Sequence, residues 1–400
     1  GAGPFPLVLV VHGNHNYKDF SDPGYAYLGE LLASRGFITV SVDENFINGL
    51  TAENDGRAWL LLKHLEAWKG FSDAEDGPFS GRVDMTRIAV MGHSRGGEAA
   101  ATAAAFNTLK YYPDDFKQEF AFNFGIQAVV AIGPVDGQYK PTSQFTPLEN
   151  VNYLIIHGSH DGDVSTAAGL RQYERLRFTD GQPWFKSAFF MYRANHGQWN
   201  TVWGNRDNGP RSGRSLDLRA LIDPEAQRQM AKVVISGFLE ATLHQNQSYL
   251  PMFRDHRTAG AWLPKTMYTT KFQESGFRSL ASFDRDVDLT TGSAEGVVLS
   301  GEHLSAWKED AVPFRGRGTD NQNHNAVTIG WNNRLPVDPL AKAAEGEEAK
   351  GPLGPPASYA VSVPEPVRSR WGIGERSAVY LSLAATSTKP GPRTPPKDPG

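Results

Sequence analysis

Arg87-Ile88-Ala89-Val90-Met91-Gly92-His93-Ser94-Arg95-Gly96-Gly97-Glu98-Ala99-Ala100 is the stretch whose reading decides the fold. Ile88 to Met91 is a compact apolar run bounded by turn signals, as a strand buried inside a parallel sheet would be. Gly92-His93-Ser94-Arg95-Gly96 then fits G-x-S-x-G, a sharp strand-to-helix turn that presents a nucleophilic serine. Sterics explain the glycines. Such a turn strains the backbone at the serine and crowds its neighbours, so residues two positions away must be tiny. Gly97 adds a second small residue where helix and strand approach closely. Glu98 to Ala105 is alanine-rich and strongly helix-forming. The start of that helix lies under Ser94, where its dipole favours developing negative charge.

Working outward, the same alternation continues on both sides. Leu7 to Val11 reads as another buried strand, ending at His12-Gly13-Asn14. The chain enters this strand abruptly, so the sheet's first strands are expected to lie upstream of it. Tyr25 to Ser34 reads as a helix that stops at Arg35-Gly36. Phe37 to Val42 is the next strand, with Asp43-Glu44-Asn45 at its carboxyl end, where sites of open α/β sheets collect. Ala52 to Trp68 is a long amphipathic helix. After the central serine come strands over Ala128–Ile132, Asn152–His157 and Ala188–Tyr192, and helices over Thr166–Phe178 and Pro224–His244. Trp199 to Leu221 is a polar loop edged with aromatics. The expectation is an α/β domain over residues 1–250, a doubly wound and mostly parallel sheet with right-handed crossovers.

From residue 266 the texture changes. Short alternating segments over Met267–Phe272, Ser279–Phe283, Gly296–Leu299, Ala326–Gly330, Tyr359–Val363 and Ala378–Leu383 are separated by Gly, Pro, Asn and Asp. This reads as an all-β domain over 266–388, a sandwich or jelly roll. Pro336 to Pro356 looks like an acidic loop, and residues 389–400 form a Pro/Gly-rich tail.

A chain of 400 residues has room for two such domains. Its formal net charge of −4, with no basic stripe, argues against a nucleic-acid partner. No apolar run reaches transmembrane length. The absence of cysteine excludes disulfides, thiolate zinc sites and a cysteine nucleophile. The chain starts at Gly1 without methionine, which leaves a secreted or periplasmic location open.

A serine nucleophile needs a base, and the base an orienting carboxylate. For a serine on this kind of turn, the order along the chain is Ser, then Asp or Glu, then His. Ser94, Asp161 and His196 supply that order, each just past an expected strand. Asp163 lies past the same strand as Asp161 but reads as an N-cap for the following helix. Asp136 is a third candidate acid. Two backbone N–H groups must converge about 3 Å from the carbonyl oxygen. Arg95 supplies one, and Asn14, after the first strand, the other. His12 is read as ordering that loop. Tyr17, Phe20, Trp199 and Trp203 are candidate walls of a substrate pocket, with Tyr17 and Trp199 preferred.

No metal or other cofactor is expected. His12/His15 and His157/His160 have usable spacings, but neither pair gains a third ligand. Asp284 to Asp288 with Glu295 mimics part of a calcium loop, yet Leu289 stands where the loop turn requires glycine.

These residues resemble the α/β-hydrolase superfamily, and within it the cutinase-like polyester hydrolases and the platelet-activating-factor acetylhydrolase-like lipases. The similarity runs through Leu28 to Phe37, Val83-Asp84 to Arg87 and Met91 to Gly97, and covers about residues 5–245. It implies a serine carboxylester hydrolase acting on a small or polymeric ester through an acyl-enzyme. In two places the chain departs from the polyester hydrolases. Arg95 replaces a frequent methionine and brings a charge to the pocket floor, and His12-Gly13-Asn14 replaces a Pro-Gly-aromatic loop. A peptidase or amidase on the same residues is one alternative. A catalytically inert binding protein, with the β domain making a carbohydrate or surface contact by analogy, is another.

Overall fold

The first strand, β1 (Phe5–Val11), is buried almost throughout, and it is flanked in parallel by β2 (Ile38–Val42) on one side and β3 (Val83–His93) on the other. In the computed structural model, which describes residues 3–51, 53–207, 209, 216–313, 321–331, 334, 351–375 and 377–385, the chain divides into two units, 1–276 and 277–400. The first unit carries helices α1 (Ala26–Ser34), α2 (Asn54–Asp73) and α3 (Arg95–Phe106) among those strands, then a small hairpin of β4 (Tyr111–Tyr112) and β5 (Asp115–Glu119). It continues through β6 (Ile126–Ile132), β7 (Asn152–Gly158), α4 (Leu170–Arg175), β8 (Phe185–Met191), α5 (Pro224–Thr242), α6 (Pro251–Arg254) and β9 (Tyr268–Glu274). The sheet order is β2-β1-β3-β6-β7-β8-β9, parallel except for β9.

Strand alternation feeds apolar clusters on both faces of the sheet. Val8, Val10, Met91, Val130 and Ile156 face one side, against Leu28 and Leu32 of α1 and Val234, Phe238 and Leu239 of α5. Leu7, Leu9, Val11 and Ile88 face the other, against Leu61 and Leu65 of α2 and Ala99 and Ala103 of α3. Both faces of the parallel sheet are therefore covered, which is why its strands read as continuous apolar runs. α1 ends as expected. Gly36, at φ 86°, gives its N–H to Ala33 and Phe37 gives its own to Leu32, a Schellman closure only a left-handed residue allows. The chain leaves β1 toward β2 and returns to β3 on the far side of β1. The ends of β1 and β3 therefore form the switch point where such sheets bind ligands.

Three expectations change. The segment over Met267–Phe272, expected to open the second domain at 266, is β9, antiparallel to β8 at the sheet edge, with Phe272 5.8 Å from Phe185. Met252, Phe253, Ala259 and Leu263 also enter the first core, so the first unit runs past residue 250. A short alternating run fits the edge of either sheet, and only its packing partner decides. The helix expected over Thr166–Phe178 is confined to Leu170–Arg175, after a turn in which Ala167 sits at φ 51°.

Of the second unit, two antiparallel ladders are described: β10 (Val298–Glu302) with β13 (Ser358–Ser362), and β11 (Leu304–Pro313) with β12 (Asn321–Trp331). A short helix, α7 (Glu365–Trp371), closes on Gly372 at φ 62°. Residues 279–283 and 378–383 are not strands, and Phe283 at φ 60° interrupts the first of them. The expected tail at 389–400, and 336–350 of the expected acidic loop, lie outside the described residues.

Candidate active site

Ser94 caps α3 at φ 59°, ψ −122°, left-handed backbone that a non-glycine residue holds at a cost of about 1–3 kcal/mol. Its surroundings show what enforces this. A Cβ on Gly92 would stand 1.8 Å from Gly96 O, and one on Gly13 would stand 2.5 Å from Ser94 Cβ and 3.1 Å from Arg95 N. The loop after β1 thus lies directly against the turn after β3.

Asp161 and His196 follow β7 and β8. Asp161 Oδ2 accepts from His196 Nδ1 at 2.8 Å, while its Oδ1 accepts from the backbone N–H of Asp163 (3.0 Å) and Val164 (2.7 Å). Both side chains are buried. Burial opposes charge on Asp161, but His196, His157 and these donors outweigh it and hold the carboxyl down to about 2. Burial likewise opposes charge on His196, but Asp161, with Asp163 and Asp207, raises the imidazole to about 9. His196 Nε2 has no hydrogen-bond partner, so Ser94 is not bonded to it. Such contacts commonly tighten only when substrate binds. The two residues come from neighbouring parts of one rim. Ser94 N–H donates to Ile132 O, and a Cβ on the next residue, Gly133, would stand 3.1 Å from His196 Nδ1.

Of the other candidate acids, Asp136 is bonded to Arg175 at 2.5 and 3.0 Å, and Asp163 does not cap α4, whose first turn follows Gly169. Asp163 Oδ2 instead lies 3.6 Å from His196 Nε2.

The side expected to receive the oxyanion is built differently. Asn14 Oδ1 accepts from Gly49 N–H at 2.7 Å, which ties its loop to the segment after β2. His12 Nε2 accepts from Glu44 N–H at 3.0 Å, so Nδ1 donates to Gly13 O at 2.7 Å. Burial pushes His12 down to about 4, which keeps it neutral, in the tautomer those two hydrogen bonds set. Beneath it lies Arg57, wholly buried, donating to His12 O (3.3 Å), Glu53 Oε1 (3.1 Å) and Asn48 Oδ1 (2.7 Å). Burial raises Glu44, 3.4 Å from Arg57, to about 8 despite that cation, leaving Glu53 as the counter-charge. Arg95 Nη1 also binds Glu53, at 2.8 and 2.9 Å. The charge expected at the pocket floor is therefore drawn into an ion pair.

Trp199 must be withdrawn as a pocket wall. It is 0% exposed and packs in the core with Tyr25 and Leu28. Tyr17 and Phe20 are exposed, and Trp203 stacks on His93 (4.4 Å) and His15 (5.1 Å). Aromatics at a strand end carry no sign of which way they turn. The sequence reading missed Asp207 altogether. Its carboxylate accepts from Gly162, His196 and Gly197 N–H, each at 2.9 Å, and from Asn195 Nδ2 at 2.6 Å, which clamps the acid and base loops together. Burial raises Asp207 above the usual carboxylate range. No spacing rule could have found it inside a long polar loop. Arg57 left a fainter trace, a Glu53/Arg57 pair at helical i,i+4 spacing.

Residues 9–111, from β1 through the Ser94 turn and α3 to the start of β4, match the family model described as PET hydrolase-like. Over 102 residues the chain is 34% identical to a bis(hydroxyethyl) terephthalate hydrolase of Streptomyces coelicolor, covering 26% of this chain and 29% of that protein. It is 39% identical over 82 residues to cutinase 2 of Thermobifida cellulosilytica, covering 19% and 29%. It is 25% identical over 200 residues to chlorophyllase-2 of Arabidopsis thaliana, covering 46% and 57%. The chain thus spans between 29% and 57% of the length of these relatives. It resembles the cutinase-like α/β-hydrolases.

Proposed function

We propose that the first unit is a serine carboxylester hydrolase. Ser94 attacks the ester carbonyl while His196 Nε2 takes its proton. The main-chain N–H groups of Asn14 and Arg95 receive the oxyanion. As the C–O bond to the alcohol breaks, His196 returns the proton to the departing oxygen, leaving an acyl group on Ser94. Water, deprotonated by the same nitrogen, then releases the acid. Asp161 fixes the tautomer and stabilises the imidazolium.

The observation that carries this reading is the 2.8 Å Asp161–His196 bond beside a strained serine, with the far imidazole nitrogen unpartnered. The names of the relatives favour an ester over an amide: a bis(hydroxyethyl) terephthalate hydrolase, cutinases and chlorophyllases. The second unit is read as a sandwich-like accessory module whose exposed Trp331 offers a surface or carbohydrate contact.

The test uses p-nitrophenyl esters of increasing acyl length beside p-nitroanilides, with a fluorophosphonate probe. Ester turnover is expected to fall by about a million-fold in Ser94→Ala, with loss of labelling. Labelling that persists in the variant refutes the nucleophile, and preferential anilide cleavage refutes the ester class.

A further inference from the structure

His196 has a carboxylate on each side of its ring, and the two are unlike. Asp161, at Nδ1, is 1% exposed and saturated with hydrogen bonds. Asp163, 3.6 Å from Nε2, is 49% exposed, and among the described residues no Lys or Arg pairs with it. Nε2 itself is buried and unpartnered. An exposed carboxylate, unpaired with any Lys or Arg among the described residues, thus stands beside the one nitrogen that must exchange protons with substrate.

Ester chemistry says what passes between them. The nitrogen that protonates the leaving alcohol must come within hydrogen-bond reach of its oxygen, about 3 Å. Asp163 is about as close to that nitrogen from another side. The departing alcohol, and not the acyl group, is therefore the part of the substrate that meets Asp163. Asp207 and Asp161 add negative charge on the same side, while Arg57 and Arg95 are held by Glu53 on the other.

Resting on the hydrolase reading above, we propose that Asp163 forms a leaving-group subsite. It selects esters whose alcohol portion is neutral or cationic and rejects those whose alcohol portion is anionic. Unit charges a few ångströms apart near a protein surface discriminate by roughly ten-fold or more at low salt, and screening erodes this.

Three acetate esters that share an acyl group test it: 2-hydroxyethyl, 2-(trimethylammonio)ethyl and 2-sulfoethyl acetate. kcat/KM is measured for the full chain and for Asp163→Asn at about 10 mM and about 1 M salt, between which the screening length falls from ~30 to ~3 Å. The expected parent preference for the cationic over the anionic ester is at least roughly ten-fold at low salt, shrinking at high salt. Asp163→Asn should bring it most of the way to parity. A loss of packing alone would slow all three esters together and leave the ratio intact. If Asp163→Asn does not fold, Asp163→Ser replaces it. Cleavage of the neutral ester with an unchanged charge ratio in the variant overturns the subsite and leaves the hydrolase reading standing. Failure of the parent to cleave any of the three overturns both.

Discussion

The two halves of the rim handle charge in opposite ways. At the ends of β1 and β3, each arginine has a carboxylate partner. Glu53 binds both Arg57 and Arg95, Glu44 is held protonated by burial, and His12 is held neutral. At the ends of β7 and β8, three aspartates gather around one histidine with no arginine or lysine paired to them among the described residues. Under the proposed mechanism, the first half presents backbone N–H groups and must be rigid. A buried ion network serves that purpose, because each member lost leaves another uncompensated. Under the same mechanism the second half carries a proton, and its aspartates bias one imidazole.

The comparison breaks most sharply at Asp161. If the acid side is catalytic, Asp161→Asn should lose about ten-thousand-fold in turnover through the wrong imidazole tautomer, with the fold retained. Turnover and melting temperature, measured beside Asp163→Asn and Asp136→Asn, decide the matter. Near-parental turnover in Asp161→Asn would move the role to whichever of the others collapses.

Arg57 should show the reverse signature. Arg57→Ala removes a wholly buried cation from Glu53, Asn48 Oδ1 and His12 O, with an expected stability loss of about 3–5 kcal/mol. Denaturant unfolding measures it. A loss below about 1 kcal/mol would mean that the network is dispensable.

The pH response should sharpen the contrast further. His196 is raised in the folded state, so its contribution to stability is complete below pH 6.5 and is lost as pH rises through about 9. Asp161 is lowered, so its contribution is present above 3.8 and is lost as pH falls through about 2. The proposed mechanism needs His196 neutral. Between about pH 6.5 and 9, activity should therefore rise while this pair's stabilisation declines, and Asp163→Asn should move the acid limb of kcat/KM downward. Rate and melting profiles collected over the same range test this. An acid limb at or below the ordinary imidazole value of 6.5 would show that the aspartates do not bias His196.

Local pattern made much of the first unit legible. Buried β-branched runs, a glycine-bracketed serine and an alanine helix are short-range signals, and each sets a strand, a turn or a helix without reference to distant residues. The proposed nucleophile and the Ser-Asp-His chain order rest on those signals. Asp161 was preferred over Asp163 by loop position, and the bond to His196 Nδ1 falls to it. The cap assigned to Asp163 failed because α4 begins later than its sequence suggests.

What the sequence by itself determined, then, is the parallel α/β sheet and the turn at Ser94, because period and sterics act within a few residues. Tertiary structure alone decided the rest. It assigned β9 to the first sheet rather than to a second domain, since an alternating strand is defined by the partner it pairs with. It buried Trp199, whose residue type is equally at home in a core or a pocket. It also brought Asp207, 46 residues beyond Asp161 in the chain, onto the base loop, and set Arg57 beneath His12. Such contacts carry no spacing signature, because the free energy that fixes them comes from hydrogen bonds between residues that only the folded sheet brings within reach.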